Sequence, residues 1–225
     1  MKTLNRKAFA GLLNLFAVMA AALFLSAGTL RYWQGWVLLG AFFAPSLAIT
    51  LYLMEKDPEL LERRVHAGAV SEKERSQKII QAFAGLAFIA TLVLPALDHR
   101  FAWSAVAVYW VIAGDALVLC GFLVIFLVFK VNTFTSGVIE VASEQKVIST
   151  GPYAVVRHPM YLGALVMLFG VPLALGSWWG LATFLPMTVV IVVRLLDEEK
   201  FLVNNLHGYA EYRDKVRYRL APFVW

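Results

Sequence analysis

Two clusters of polar residues stand out in a chain that is otherwise apolar. The first is Tyr153 together with Arg157-His158-Pro159-Met160-Tyr161-Leu162-Gly163, set between apolar runs. Pro159 suits the first turn of a helix, where its missing N–H would have no partner anyway, so a helix is expected to begin at or just after His158. Arg157 and His158 then sit at the helix mouth, Tyr161 follows on nearly the same face, and Gly163 leaves room for a backbone or a ligand to approach. The second cluster is Arg194-Leu195-Leu196-Asp197-Glu198-Glu199-Lys200-Phe201-Leu202. Its Leu195, Glu198, Glu199 and Leu202 follow a helical spacing of three and four, which puts a carboxylate on a face that can pack inward. Together the clusters supply cationic donors, phenolic hydroxyls and acids, the groups of a polar pocket. The plainer alternatives are an interfacial helix start with a belt tyrosine and a snorkelling arginine, and a surface helix whose acids face water.

The elements that must position these residues are membrane helices. The chain is 60% hydrophobic and 16% charged, with a mean hydropathy of +0.71, outside the range of soluble domains. Uncharged runs at Ala8–Leu30, Trp33–Met54 and Ile79–Leu97 each approach the roughly 20 residues needed to cross a bilayer. Phe101–Phe129 carries only Asp115 and is expected to be a fourth span, tilted or projecting. Between Arg157 and Arg194 the uncharged stretch is broken at Gly176-Ser177-Trp178-Trp179-Gly180, which reads as a turn between two short helices. The expected fold is all-α: a polytopic transmembrane bundle of about six segments, followed by a cytoplasmic C-terminal helix.

The basic residues test that count. With six spans, of the 20 Lys and Arg residues only Arg31 and Arg100 fall opposite the termini, the bias expected when both termini are cytoplasmic. A five-span arrangement would export the basic tail. The expected location is therefore the cell (inner) membrane, as a multi-pass protein with the first span a retained anchor rather than a cleaved signal. The net charge of +5 fits an anionic cytoplasmic leaflet, so membrane lipids are the expected partner and nucleic acid is not. A single cysteine, Cys120, precludes an internal disulfide or a cysteine metal site, and no metal is expected. In the Glu55–Lys78 loop, Asp57 can cap and Pro58 can open a short amphipathic surface helix, read as a solvated connector in preference to a substrate-binding segment. Asp115 is either functional or paired with a donor such as Asn132 or Arg100.

The two clusters continue into Gly208-Tyr209-Ala210-Glu211-Tyr212 and Arg219-Leu220-Ala221-Pro222. Gly151-Pro152-Tyr153, Arg157-His158-Pro159, Tyr161, Gly163 and Glu198-Glu199 precede them in order. With these residues the chain resembles the isoprenylcysteine carboxyl methyltransferase family and its phospholipid methyltransferase relatives, as a short member of bacterial type. The resemblance covers residues 131–225; His207 departs from the pattern of many members, and residues 1–130 carry no motif that maps onto it. It implies one integral-membrane methyltransferase domain over residues 1–225, with 1–130 shaping substrate access and 131–225 holding cofactor and catalysis.

The implied cofactor is S-adenosyl-L-methionine, whose sulfonium, ammonium, carboxylate and adenine call for acids, donors and aromatic walls. Glu198 and Glu199 would supply the acids, Arg157 and His158 the donors, Tyr153 and Tyr161 walls or hydroxyls. Arg194, one turn before Glu198, is the candidate to orient an acceptor carboxylate, or else a snorkelling anchor. The implied acceptor is lipophilic, an isoprenylcysteine-type carboxylate before other lipids. An NADPH-dependent membrane reductase is the competing reading, because the longer sterol reductases resemble the same C-terminal region; a non-catalytic scaffold is the third.

Overall fold

A computed structural model describes residues 2–66, 75–139, 141 and 144–225. Its helices, in chain order, are α1 (Lys2–Ala27), α2 (Trp33–Lys56), α3 (Pro58–Val65), α4 (Arg75–Phe101), α5 (Val108–Val131), α6 (Pro159–Ala174), α7 (Phe184–Asn205) and α8 (Tyr209–Lys215). Among the described residues, five helical stretches are long and apolar enough to cross a membrane: α1, α2, α4, α5 and Trp179–Asn205, the last being a 3-10 turn running into α7. The sixth apolar segment, α6, has 16 residues and is about 24 Å long at the α-helical rise. The described residues thus form a polytopic helical bundle with six apolar segments. Part of the expected connector, residues 67–74, lies outside the described residues.

Local chemistry sets the ends of these helices. Asp57 accepts from the Leu60 N–H at 3.0 Å and Pro58 opens α3, as the sequence predicts. Gly176 adopts a φ of +70° and, with Ser177, turns the chain back after α6, since a residue without a Cβ enters that region at little cost. Two expectations need correction. Phe101 closes α4 instead of opening the fourth span, because Asp98 accepts from the Ser104 N–H at 2.7 Å, from the Ser104 hydroxyl and from the Ser177 hydroxyl, bending residues 102–107 away. The last apolar segment is also not short: α7 runs unbroken through Arg194 and the acidic cluster to Asn205.

The tightest packing is between α5 and α6, where glycines let the backbones meet. A Cβ added at Gly114 would lie 2.2 Å from the Ala174 nitrogen, and one at Gly121 would lie 2.5 Å from the Gly163 oxygen. Small residues at helix crossings serve this purpose in membranes, where close dispersion contact replaces the hydrophobic drive. Gly163 therefore makes room for backbone, which fixes the start of α6 against the end of α5. Around this pair, Met19, Leu23, Leu38, Leu92, Val118 and Leu175 form the buried core.

The bundle has two distinct ends. At one, Ala8, Leu53, Leu60, Leu61, Val128 and Phe129 cluster with Tyr153 and Met160, joining the start of α1, the end of α2, α3 and the end of α5 to the segment that enters α6. At the other, Tyr32 donates to the Leu175 carbonyl at 2.6 Å, near the Asp98 network. Asp115 has no hydrogen-bond partner for Oδ1 among the described residues. Of the two donors considered for it, Asn132 donates to Tyr153, and the Arg100 guanidinium lies against Phe101 and Gly28.

Candidate functional site

The chain enters α6 through Arg157 and His158, with Pro159 in the first helical turn. Their backbone N–H groups donate to the carbonyls of Tyr218 and Arg219 at 2.9 and 3.0 Å, so the C-terminal segment is stitched to the mouth of α6. The Arg157 side chain completes the joint. Its Nε donates to Glu199 Oε1 at 2.6 Å and its Nη1 to the carbonyls of Val216 and Arg217 at 2.8 and 2.9 Å. Arg219 grips the other oxygen, Glu199 Oε2, at 2.8 Å and lays its guanidinium over the Trp225 ring. Glu199 is 6% exposed and holds two arginines; such a buried carboxylate persists because both oxygens are paired.

One residue earlier, Glu198 points to different company. It accepts from the Tyr161 hydroxyl at 2.5 Å and lines a cavity of about 440 Å³ together with Tyr153, Arg157, His158, Tyr161 and Arg194. That volume is within the range of small-molecule sites. Arg194 is held by Gln77 Oε1 at 2.8 Å and the Gly137 carbonyl at 3.0 Å, and Gln77 in turn donates to Asp197 at 2.6 Å. Six of the seven residues singled out from the sequence therefore share one cavity wall. The seventh, Glu199, is absent from that wall and fastens Arg157 from behind.

Among the described residues, two buried polar atoms on the residues lining this cavity lack hydrogen-bond partners: His158 Nε2, whose nearest acid oxygen is Glu199 Oε1 at 3.7 Å, and the Tyr209 hydroxyl. Both residues are about nineteen-twentieths buried. Buried polar groups are normally satisfied, so unpaired ones on residues that line a cavity point to a place where a ligand completes the bonding. Tyrosines form much of the remaining wall. Burial pushes the Tyr153 phenol up to about 12 even though Asn132 donates to it at 2.9 Å, and burial likewise raises Tyr209 and Tyr212 above the usual phenol range. These hydroxyls stay protonated and able to donate at physiological pH.

The structure adds wall residues that the sequence reading left out of the site: Arg64, Asn132, Tyr209 and Tyr212. Arg64 had a signal, since it stands three and four residues after Leu61 and Leu60, the two buried positions of α3, and so shares their inward face. Tyr212 reaches back to donate to the Tyr153 carbonyl at 2.8 Å, a contact across 59 residues that nothing local announces. Among the described residues no group of three or more His, Cys, Asp or Glu side chains is placed to hold a metal ion.

The fold and site define a multi-pass helical membrane protein with a polar cavity at one end of the bundle. Residues 109–208 match the model of the Phospholipid methyltransferase family, a stretch that runs from α5 to the residue before α8 and contains the Arg157–Tyr161 and Arg194–Glu199 clusters. In addition, 94 residues are 32% identical to the Delta(14)-sterol reductase of Mus musculus, over 39% of this chain and 22% of that protein. The match thus spans about a fifth of the reductase.

Proposed function

We propose that this chain is an integral-membrane methyltransferase that uses S-adenosyl-L-methionine and a lipophilic acceptor, favouring a carboxylate of the isoprenylcysteine type. The observation that carries the reading is the pair of orphaned buried groups, His158 Nε2 and the Tyr209 hydroxyl, in one cavity with Glu198, inside or beside the stretch that matches a methyltransferase family. When bound, the cofactor supplies an electrophilic methyl group: its C–S bond breaks as the acceptor forms the new bond, and the electron pair returns to sulfur.

The residues divide the work by charge. Glu198 faces the cofactor's cations, and His158 and Tyr209 offer hydrogen bonds to its polar groups. Tyr153 and Tyr161 wall the cavity. Arg157 is fixed by Glu199, which acts as a positioning residue behind it. Arg194 orients the acceptor. An ionised carboxylate needs no general base, so catalysis rests on alignment in a site that excludes water. Residues 131–225 provide this machinery, and 1–130 chiefly shape access from the bilayer. The distribution of basic residues supports a cytoplasmic side for the cavity, where a soluble cofactor and a lipid-borne acceptor can meet.

A nicotinamide-dependent reductase is the second reading, favoured by the stretch similar to a sterol reductase. Equilibrium binding to purified, detergent-solubilised protein separates the two. Saturable binding of S-adenosyl-L-methionine and labelling of a lipophilic acceptor from the radiolabelled cofactor are expected. Tight binding of NADPH with none of S-adenosyl-L-methionine would overturn the methyltransferase reading.

A further inference from the structure

The C-terminal loop presents apolar side chains at the polar end of the bundle. The N–H groups of Arg219, Leu220 and Ala221 all donate to the Trp225 main-chain oxygen, at 2.9, 3.0 and 3.2 Å, which closes the loop on itself. The loop is fastened to the bundle by the Arg219–Glu199 pair and by the Tyr218 and Arg219 carbonyls, which accept from the mouth of α6. At its tip Phe223 takes a φ of +66°, a conformation that costs a residue with a Cβ. Phe223 is 88% and Val224 82% exposed, the two highest values among the large hydrophobic residues described. An apolar tip held out by a closed, anchored loop marks a surface made for an apolar partner.

The level of the loop follows from α7. Leu185, Val189, Val193 and Leu196 form an exposed stripe on a helix long and apolar enough to cross a membrane, so the stripe faces lipid. Trp179, 60% exposed, suits the interface at the start of that helix. From Trp179 to Glu199 the helix climbs about 30 Å, the thickness of the hydrocarbon core. Glu199, and Arg219 with it, therefore stands at the opposite interface, just past Leu196. Lys215 and Arg217 are exposed beside the loop, and among the described residues neither has a carboxylate within ion-pair distance. Apolar and aromatic side chains next to unbalanced cations, at the level where lipid meets water, are the composition of an interfacial segment.

We infer that residues 218–225 are an interfacial anchor: Phe223 and Val224 enter the headgroup layer of an anionic leaflet, Lys215 and Arg217 meet its phosphates, and the docked loop braces the mouth of α6. The partner is the bilayer that already surrounds α7, because the loop lies where the lipid-facing stripe of that helix ends. Trp225, whose ring carries the Arg219 guanidinium at 5.1 Å, adds a belt residue at the same level. The anchor stands on the loop, its level and its charge, and is independent of the reaction the cavity performs.

Full-length protein in lipid nanodiscs tests this, with Cys120→Ala as background. A nitroxide is attached in Phe223→Cys, in Val224→Cys or, as an exposed control on α8, in Glu211→Cys. Collision with oxygen reports lipid, and collision with a neutral nickel chelate reports water. In discs of phosphatidylcholine and phosphatidylglycerol, the labels at 223 and 224 are expected to favour oxygen and the label at 211 nickel. In phosphatidylcholine alone, the ratio of docked to free loop, read from the two spectral components, should fall about twenty-fold, since each of two cations is worth about five-fold near an anionic surface. High salt should act in the same direction. Combining Phe223→Ser with Val224→Ser should speed amide exchange at Arg157 and His158 several-fold in the anionic discs. Labels at 223 and 224 as open to nickel as the control would overturn the anchor. So would labels shielded from both reagents, which would mark a contact with protein. Equal docking in the two kinds of disc would overturn the anionic preference, and unchanged exchange at 157 and 158 the bracing of α6.

Discussion

Removing the Glu199 carboxylate perturbs the joint on which the cavity hangs. In Glu199→Ala, Arg157, whose side chain is 5% exposed, keeps only the carbonyls of Val216 and Arg217, while Arg219, 31% exposed, keeps the Trp225 ring. Breaking a buried pair by deleting one partner costs about 3–5 kcal/mol. The two carbonyls that still accept from Arg157 favour the low end, and the pair made by the partly exposed Arg219 adds at most about 1 kcal/mol. A loss of about 3–4 kcal/mol follows, which for a chain of this size lowers Tm by about 6–16 °C. Thermal unfolding of the purified protein in detergent measures it. Limited trypsin digestion should find new cleavage at Arg217 and Arg219, because the C-terminal segment loses its anchor. The double variant Glu199→Ala/Arg157→Met should be more stable than the sum of the single losses predicts. A Tm within about 2 °C of wild type, or strictly additive losses with coupling below about 0.5 kcal/mol, would refute the buried-joint argument.

Two further substitutions probe the cavity and the scaffold. Tyr209→Phe removes a buried hydroxyl that has no protein partner among the described residues, so unfolding stability should be unchanged or slightly higher, while cofactor binding by isothermal titration weakens about two- to ten-fold, the worth of one neutral hydrogen bond. An unchanged affinity would take Tyr209 out of the ligand site. Gly114→Ala forces a Cβ to within 2.2 Å of the α6 backbone, whereas Gly40→Ala on α2 meets nothing within 4 Å. The first should cost about 1–3 kcal/mol and the second nothing measurable; equal melting temperatures would show that α5 and α6 do not meet as described.

Much of the architecture is legible in local sequence because it is locally determined. Apolar runs near bilayer length, a proline at the mouth of α6, Asp57 before Pro58 and the glycine-rich break at Gly176 each act within a turn or two of chain, so their outcomes needed no partner. The placement of basic residues groups the termini and α3 at one end for the same reason: it depends on chain order alone. The limits of α4 and α5 escaped because Asp98 and Ser177, 79 residues apart, jointly bend the chain after Phe101.

The site shows the same division more sharply. Residue types announced that Arg157, His158, Tyr161, Arg194 and the acidic pair belong to one polar region, but spacing could not tell Glu198 from Glu199. Adjacent helical residues point about 100° apart, and only the packing of α7 decides which one meets Arg157 and Arg219 and which meets Tyr161 and the cavity. Gly163 likewise read as space for a backbone or a ligand; the arrival of Gly121 made it backbone. Arg64 and Tyr209 gained their places from segments distant in the chain. Sequence fixes what each residue can bond to and which local element it joins, whereas burial and the identity of the partner are properties of three-dimensional contact, and the tertiary structure alone decides them.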